Sequence, residues 1–187
     1  MELVIKNMVC PRCIIMVERT LAEMRLDVEN VLLGKIILRQ GLSPAAYEEL
    51  EQSLGSIGFR ILSGRNEILV EKVKNCLISI IHSESGIRIR ENFSTLIREA
   101  TGADYNATSV IFSATEGLTI EKYIILQRIE RAKELLMYDE LSLAEIARLL
   151  GYSSPQHLSA QFRKITGMTA TAFRKDGKEL RVALDSL

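Results

Sequence analysis

The sequence predicts an α+β chain in two parts: a βαββαβ domain at residues 1–64 and an all-α domain at 87–187 that holds two helix-turn-helix units, joined by a connecting helix and linker at 65–86. Three observations predict it. The first 62 residues alternate between period-two apolar runs and helical stripes. From Ile87 onward every apolar pattern has helical spacing. And one C-terminal segment repeats an earlier one when the chain is slid by 50 positions: Leu96 falls on Ile146, Ile97 on Ala147, Ala100 on Leu150, Phe112 on Phe162, Gly117 on Gly167, Thr119 on Thr169 and Tyr123 on Phe173.

The N-terminal elements follow in order. Residues 2–8 alternate apolar and polar, the signature of a half-buried strand. The tetrapeptide CPRC comes next, then a helix with Ile14, Val17, Leu21 and Met24 on one face. Two β-like runs, Val28–Leu33 and Ile36–Arg39, are joined tightly through Gly34. Ser43 and Pro44 open a second helix as N-cap and first helical residue. Its apolar face holds Ala46, Tyr47, Leu50 and Leu54, Gly58 ends it, and Phe59–Leu62 is a last strand. This order is that of the ferredoxin-like split-βαβ arrangement. Residues 63–66 mark a boundary. The helical stretch beyond it carries Leu69, Val73, Cys76, Leu77, Ile80 and Ile81 on one side, which would connect the domains or pair with a second copy in a homodimer. The run HSESG at 82–86 is a second break.

In the C-terminal part, Leu143, Ile146, Ala147 and Leu150 share one helix face, and Ser142 with Glu145 forms a capping box at its start. Gly151 gives the turn, and Ser154-Pro155 starts the next helix, whose buried stripe is Leu158, Phe162 and Ile165. Gln156, His157, Ser159, Ala160, Arg163 and Lys164 then face outward. Gln suits adenine edges, and Arg suits guanine or phosphate. A single such hairpin fits any helical bundle. Two copies separated by a long helix, Ile120–Tyr138, with Ile125, Ile129, Ala132 and Leu136 as its stripe and charged residues opposite, fit one duplex read at two sites about 34 Å apart.

Bulk properties narrow the class. The chain has 187 residues, 47% of them apolar, enough for a real core. No apolar run has the length of a membrane span, and the start lacks the pattern of a signal peptide, so a cytoplasmic protein is expected. Three cysteines, two in one CxxC, make no disulfide framework. No phosphate-binding loop, Ser/His/Asp set or paired catalytic carboxylates argue for an enzyme. Net charge is zero, but Ser154–Arg181 holds Arg163, Lys164, Arg174, Lys175, Lys178 and Arg181 against Asp176 and Glu179, a local basic excess over the second reading helix.

Four stretches together, RIERAKELL at 128–136, SLAEIARLLGYSS at 142–154, HLSAQFRKITGMT at 157–169 and AFRK at 172–175, resemble the AraC-type DNA-binding domain. The resemblance covers about residues 87–175 and implies a regulator of transcription that binds double-stranded DNA. It places Pro155, Gln156, Ser159 and Ala160 at the base-facing positions of the second unit, with His157, Arg163 and Lys164 beside them, and Asn106, Ala107, Ser109 and Val110 at those of the first. The first unit departs from the pattern. Its reading helix has no Arg or Lys, and Thr108 stands where a large apolar residue is usual; in the second unit, Ala170 replaces the usual Pro.

Cys10 and Cys13 lie between a strand and a helix N-terminus, where the helix dipole favours thiolate. Two thiolates so spaced can grip a soft ion such as Cu(I), or half-fill a Zn site; a redox CxxC, or a fold kept only for dimerisation or partner docking, is the alternative. MVCPRC within the βαββαβ order resembles the heavy-metal-associated domain, whose motif is M-x-C-x-x-C. That resemblance covers residues 1–64. It implies Cys10 and Cys13 as metal ligands, with Met8 supporting the loop; Asn7 stands where that family usually has Gly. Cys76 reads as a core thiol. The functional expectation is a sequence-specific DNA-binding transcriptional regulator controlled by a soft metal. The alternative is a metal chaperone or scavenger whose helical half docks on protein.

Overall fold

The computed structural model of the chain describes residues 1–83, 92–176 and 183–184. It divides into two compact units, Met1–Asn75 and Cys76–Leu187, and no described helix is long and apolar enough to cross a membrane. Most of the expected HSESG break, and Lys178, Glu179 and Arg181 of the basic segment, fall outside the described residues.

The first unit runs β1 (Glu2–Lys6), α1 (Pro11–Glu23), β2 (Val28–Leu32), β3 (Lys35–Leu38), α2 (Pro44–Ser56) and β4 (Arg60–Leu62), followed by the start of α3 (Arg65–Ile81). The strands form one antiparallel sheet in the order β2-β3-β1-β4. Leu3, Ile5, Ile36, Leu38 and Ile61 of the sheet form one buried cluster with Met8, with Val17 and Leu21 of α1 and with Leu50 and Leu54 of α2. Ser43 caps α2 by accepting from the Ala46 N–H, and Pro44 follows it without losing a needed donor.

The alternation in β1 predicted one wet face, yet Val4 is buried together with Leu3 and Ile5. The cover is α3. Lys72 reaches Glu2 at 3.6 Å, Glu67 reaches Arg60 at 3.1 Å, and a side chain on Gly34 would strike the Asn75 amide, its Cβ falling 1.9 Å from Nδ2. Gly34 sits at φ +77°, so the β2–β3 turn needs glycine twice over, for its backbone and for its close neighbour. Of the predicted apolar stripe of α3, Val73, Leu77 and Ile81 are buried within one chain, while Leu69, Cys76 and Ile80 are half-buried; Val70 and Ile78, outside that stripe, are buried as well.

The second unit is helical. It contains the end of α3, then α4 (Phe93–Thr101), α5 (Tyr105–Glu116), α6 (Ile120–Tyr138), α7 (Leu143–Leu149), α8 (Pro155–Thr166) and α9 (Ala170–Asp176). The 50-residue repeat recurs in its caps. Asn92 and Ser142 cap α4 and α7, and Asp104 and Ser154 cap α5 and α8. Gly117 and Gly167 end α5 and α8 in the left-handed conformation, at φ +71° and +76°. Thr119 and Thr169 each accept a backbone N–H three residues on, at 3.2 and 3.1 Å. The aromatic cores match as well: Phe112 meets Tyr123 edge-on at 5.6 Å, and Phe162 meets Phe173 edge-on at 5.4 Å.

Helix α6 lies between the copies and packs on α5, α7, α8 and α9. Its expected charged outer face is outside only at the start, where Glu121 and Lys122 are exposed; farther along, Arg128, Arg131 and Glu134 are half-buried. Glu130 and Lys133 are buried and paired at 2.9 Å, and Gln127 is buried, donating to the Tyr123 hydroxyl at 2.9 Å and meeting the His82 ring at 3.0 Å. Ile125, placed in the stripe, is only half-buried, while Ile124 is buried. Beyond its first turn, a helix gripped from two sides has no free face to leave its charges on.

Burial pushes the Glu71 carboxyl above its ordinary value, against the pull of Lys74 and of the Asn7 N–H. A carboxyl raised in the folded state binds more protons folded than unfolded, so its contribution falls as pH rises from about 4.5 through the folded value. Glu71→Gln should therefore flatten the fall in melting temperature between pH 5 and 7.5, and an unchanged pH profile would contradict this. Glu130→Ala removes a buried 2.9 Å contact to Lys133 and should destabilise the fold by about 1–3 kcal/mol, read by denaturant unfolding; a cost near zero would mean that the pair is not desolvated in solution.

Candidate nucleic-acid interface and cysteine pair

Each helix-turn-helix presents one helix outward, and the two exposure patterns agree over residues 105–112 and 155–162, differing later only at Ser113 against Arg163 and Thr115 against Ile165. In α8, Leu158 and Phe162 are buried, Gln156, His157, Ala160, Arg163 and Lys164 are exposed, and Pro155 and Ser159 are half-buried. In α5, Thr108 and Phe112 are buried, Asn106, Ala107 and Val110 are exposed, and Ser109 is half-buried. The sequence-predicted residues of each unit therefore gather on one outer helix surface. Thr108 fills the apolar slot at no hydrogen-bonding loss, because its hydroxyl donates to the Asp104 carbonyl at 2.8 Å within its own helix.

The exposed strip of α8 continues from Gln156 through Ala160 to Lys164, and that of α5 from Asn106 through Val110 to Ala114. The sequence reading did not single out Ala114; its signal was there, as the counterpart of Lys164 under the 50-residue shift. Not every basic residue counted in the C-terminal segment is free for a polyanion. The Arg174 guanidinium donates to the Leu141 carbonyl at 2.8 Å and lies 3.1 Å from Asp139, so it holds the turn after α6. His157 has structural ties too, with Nδ1 3.2 Å from the Ser153 hydroxyl and its ring edge-on to Tyr152 at 5.3 Å.

Arg128, on α6, fixes the relation between the copies. Its guanidinium lies 5.3 Å from the centre of the Phe93 ring, at the start of the first unit, and 5.6 Å from that of Tyr152, in the turn of the second. Burial pushes the Tyr152 phenol up to about 12, and its hydroxyl donates to Gln161 at 2.8 Å. Sequence reasoning missed this clamp, since the three residues are far apart along the chain.

The two thiols of the CxxC also come together. Cys10 is the N-cap of α1 and Cys13 lies in its first turn, with their sulfurs 3.4 Å apart. The preceding Asn7 takes the left-handed conformation at φ +74°, which Asn tolerates better than most residues, and its amide donates to the Gly58 carbonyl at 3.0 Å. Met8 is fully buried beneath the loop. The expectation of a dipole-stabilised thiolate does not hold at Cys13: burial outweighs the lowering contacts of the Val9 and Cys10 backbone and pushes its thiol up. Among the described residues, no group of three or more His, Cys, Asp or Glu is placed to hold a metal. The donor set is therefore two sulfurs. Their spacing is close to the ~3.8 Å that two thiolates subtend on one tetrahedral Zn with bonds of about 2.3 Å, whereas a linear ion would need the pair to open. Burial raises the thiol of Cys76, which lies 3.8 Å from the Leu96 carbonyl.

Residues 87–176 match the family described as a helix-turn-helix domain. The chain is similar to the Msm operon regulatory protein of Streptococcus mutans, 31% identical over 102 residues that make up 54% of this chain and 36% of that one. It is similar to the xylose operon regulatory protein of Escherichia coli, 27% identical over 99 residues, 53% of this chain and 24% of that one. It thus spans about a quarter to a third of the length of these relatives. The C-terminal domain of AraT, a response regulator from Geobacillus stearothermophilus, shares the fold with a TM-score of 0.50 and 21% identity, over 60% of this chain and 88% of that one. Residues 87–176, just under half of the chain, are thus similar to helix-turn-helix domains.

Proposed function

We propose that the chain regulates transcription by binding double-stranded DNA through α5 and α8, and that its N-terminal part, residues 1–64, is a ferredoxin-like domain of the heavy-metal-associated kind that takes one soft ion, Cu(I) or Zn, at Cys10 and Cys13. The observation that carries the DNA reading is the matched pair of outward helices on one central helix, in a segment whose relatives are named as operon regulators. In α8, Gln156 supplies an amide for a base edge, while Arg163 and Lys164 supply charge for phosphates.

The metal reading rests on the sheet order with two covering helices, the buried Met8, the left-handed Asn7 and the sulfur pair. A bound soft ion would draw both thiols into thiolate form, which offsets the burial that otherwise holds Cys13 protonated.

DNA binding is tested by selecting sequences from a random duplex library and measuring affinity against salt. Gln156→Ala should weaken the selected site about 5- to 100-fold, since a bidentate contact is worth about 1–3 kcal/mol. Lys164→Ala should weaken all sequences alike and lower the salt slope by about one. An affinity independent of salt would instead support a helical half that docks on protein. For the metal, elemental analysis of reduced protein should give at most one ion per chain, lost in the Cys10→Ser/Cys13→Ser double variant and kept in Cys76→Ser; equal stoichiometry in the double variant would contradict the assignment.

A further inference from the structure

The two outward helices share a backbone but not a chemistry. Under the 50-residue shift, Lys164 corresponds to Ala114, His157 to Ala107 and Ala160 to Val110. The exposed strip of α5 is thus Ala107, Val110 and Ala114, with Asn106 at its N-terminal end. Val110 is 70% exposed, the most open large apolar side chain among the described residues. Nothing in the packing of the helix requires it, because Thr108 and Phe112 face the core.

Phosphate anchoring does not explain α5. Tyr105–Glu116 contains no Arg or Lys, and the first-turn amides of Asn106 and Ala107 are already taken by the Asp104 carboxylate at 2.9 and 3.1 Å. That carboxylate repels a phosphate where a bare helix N-terminus would attract one. What α5 offers is a row of methyl groups beside one amide. In the major groove of B-DNA, thymine alone among the four bases carries a methyl group, next to the donor–acceptor edge of its adenine partner.

We infer that the strip Ala107–Val110–Ala114 reads thymine methyl groups, with Asn106 placed for the adenine edge, so that the first helix-turn-helix selects A·T pairs by apolar contact while the second supplies the charge. This rests on the DNA-binding reading above and assigns a base chemistry to its weaker half.

The test uses the full chain and a duplex selected from a random library, with each thymine replaced singly by deoxyuridine, which removes the methyl group and nothing else. Wild type should lose affinity about two- to tenfold at one or two positions, the size expected for one buried methyl group. Val110→Ala, which keeps the helix because Ala is the better helix former, should bind the thymine duplex more weakly and be indifferent to uracil at one of those positions. If uracil costs wild type nothing, or costs both proteins equally at every position, the inference fails and the strip faces a protein instead. Failure to enrich any sequence overturns the DNA-binding reading itself, and is distinct from a selected duplex without methyl dependence.

Discussion

Helix α6 is buried on nearly every side, and the C-terminal unit is arranged around that constraint. A helix of 19 residues in water would carry its charges on one face. Here Glu130 and Lys133 are inside and paired with each other, and Gln127 finds partners in Tyr123 and His82. Such interior polar contacts add little net stability, because desolvation offsets most of their attraction. They do restrict how neighbouring helices can pack, since any slip leaves a buried group unsatisfied. The Arg128 clamp between Phe93 and Tyr152 works in the same direction, joining the start of one unit to the turn of the other. A spacer of 19 residues spans about 28 Å, close to one turn of B-DNA, and a rigid spacer of that size is what two linked reading helices require.

Duplication explains the parts that match, and the proposed DNA reading would account for the parts that do not. Caps, left-handed glycines and edge-on aromatic pairs recur at the same offset because they hold the backbone. The outward positions are free of that duty. In α8 they became amide and cationic, and in α5 small and apolar. One fold can therefore offer two kinds of contact to one ligand.

Local features were legible in the sequence and long-range ones were not. The Ser43 and Ser154 caps, the Ser142–Glu145 capping box and the bounds of α6 follow from residues within one helical turn of one another. The stripe of α1 was legible too, with Val17 and Leu21 buried as its spacing implied. The sequence misled where a distant element supplies the environment. β1 looked half-wet because α3, some sixty residues on, was not seen to cover Val4. The outer face of α6 looked solvated because charge usually marks solvent. At the candidate sites, the exposed residues of α5 and α8 were foreseen, whereas the upward push on the Cys13 thiol was not: the helix dipole is visible in the order of elements, and burial is not.

In the proposed DNA reading, one rigid helix sets two reading helices at a fixed distance on one face of a duplex. Hydroxyl-radical footprinting of the full chain on its selected site tests it most directly. Two protected patches on one face are expected, centred about 10–10.5 base pairs apart, with one patch lost when five base pairs are inserted between them. A single patch, or two patches that follow the insertion independently, would contradict a rigid spacing of the two units.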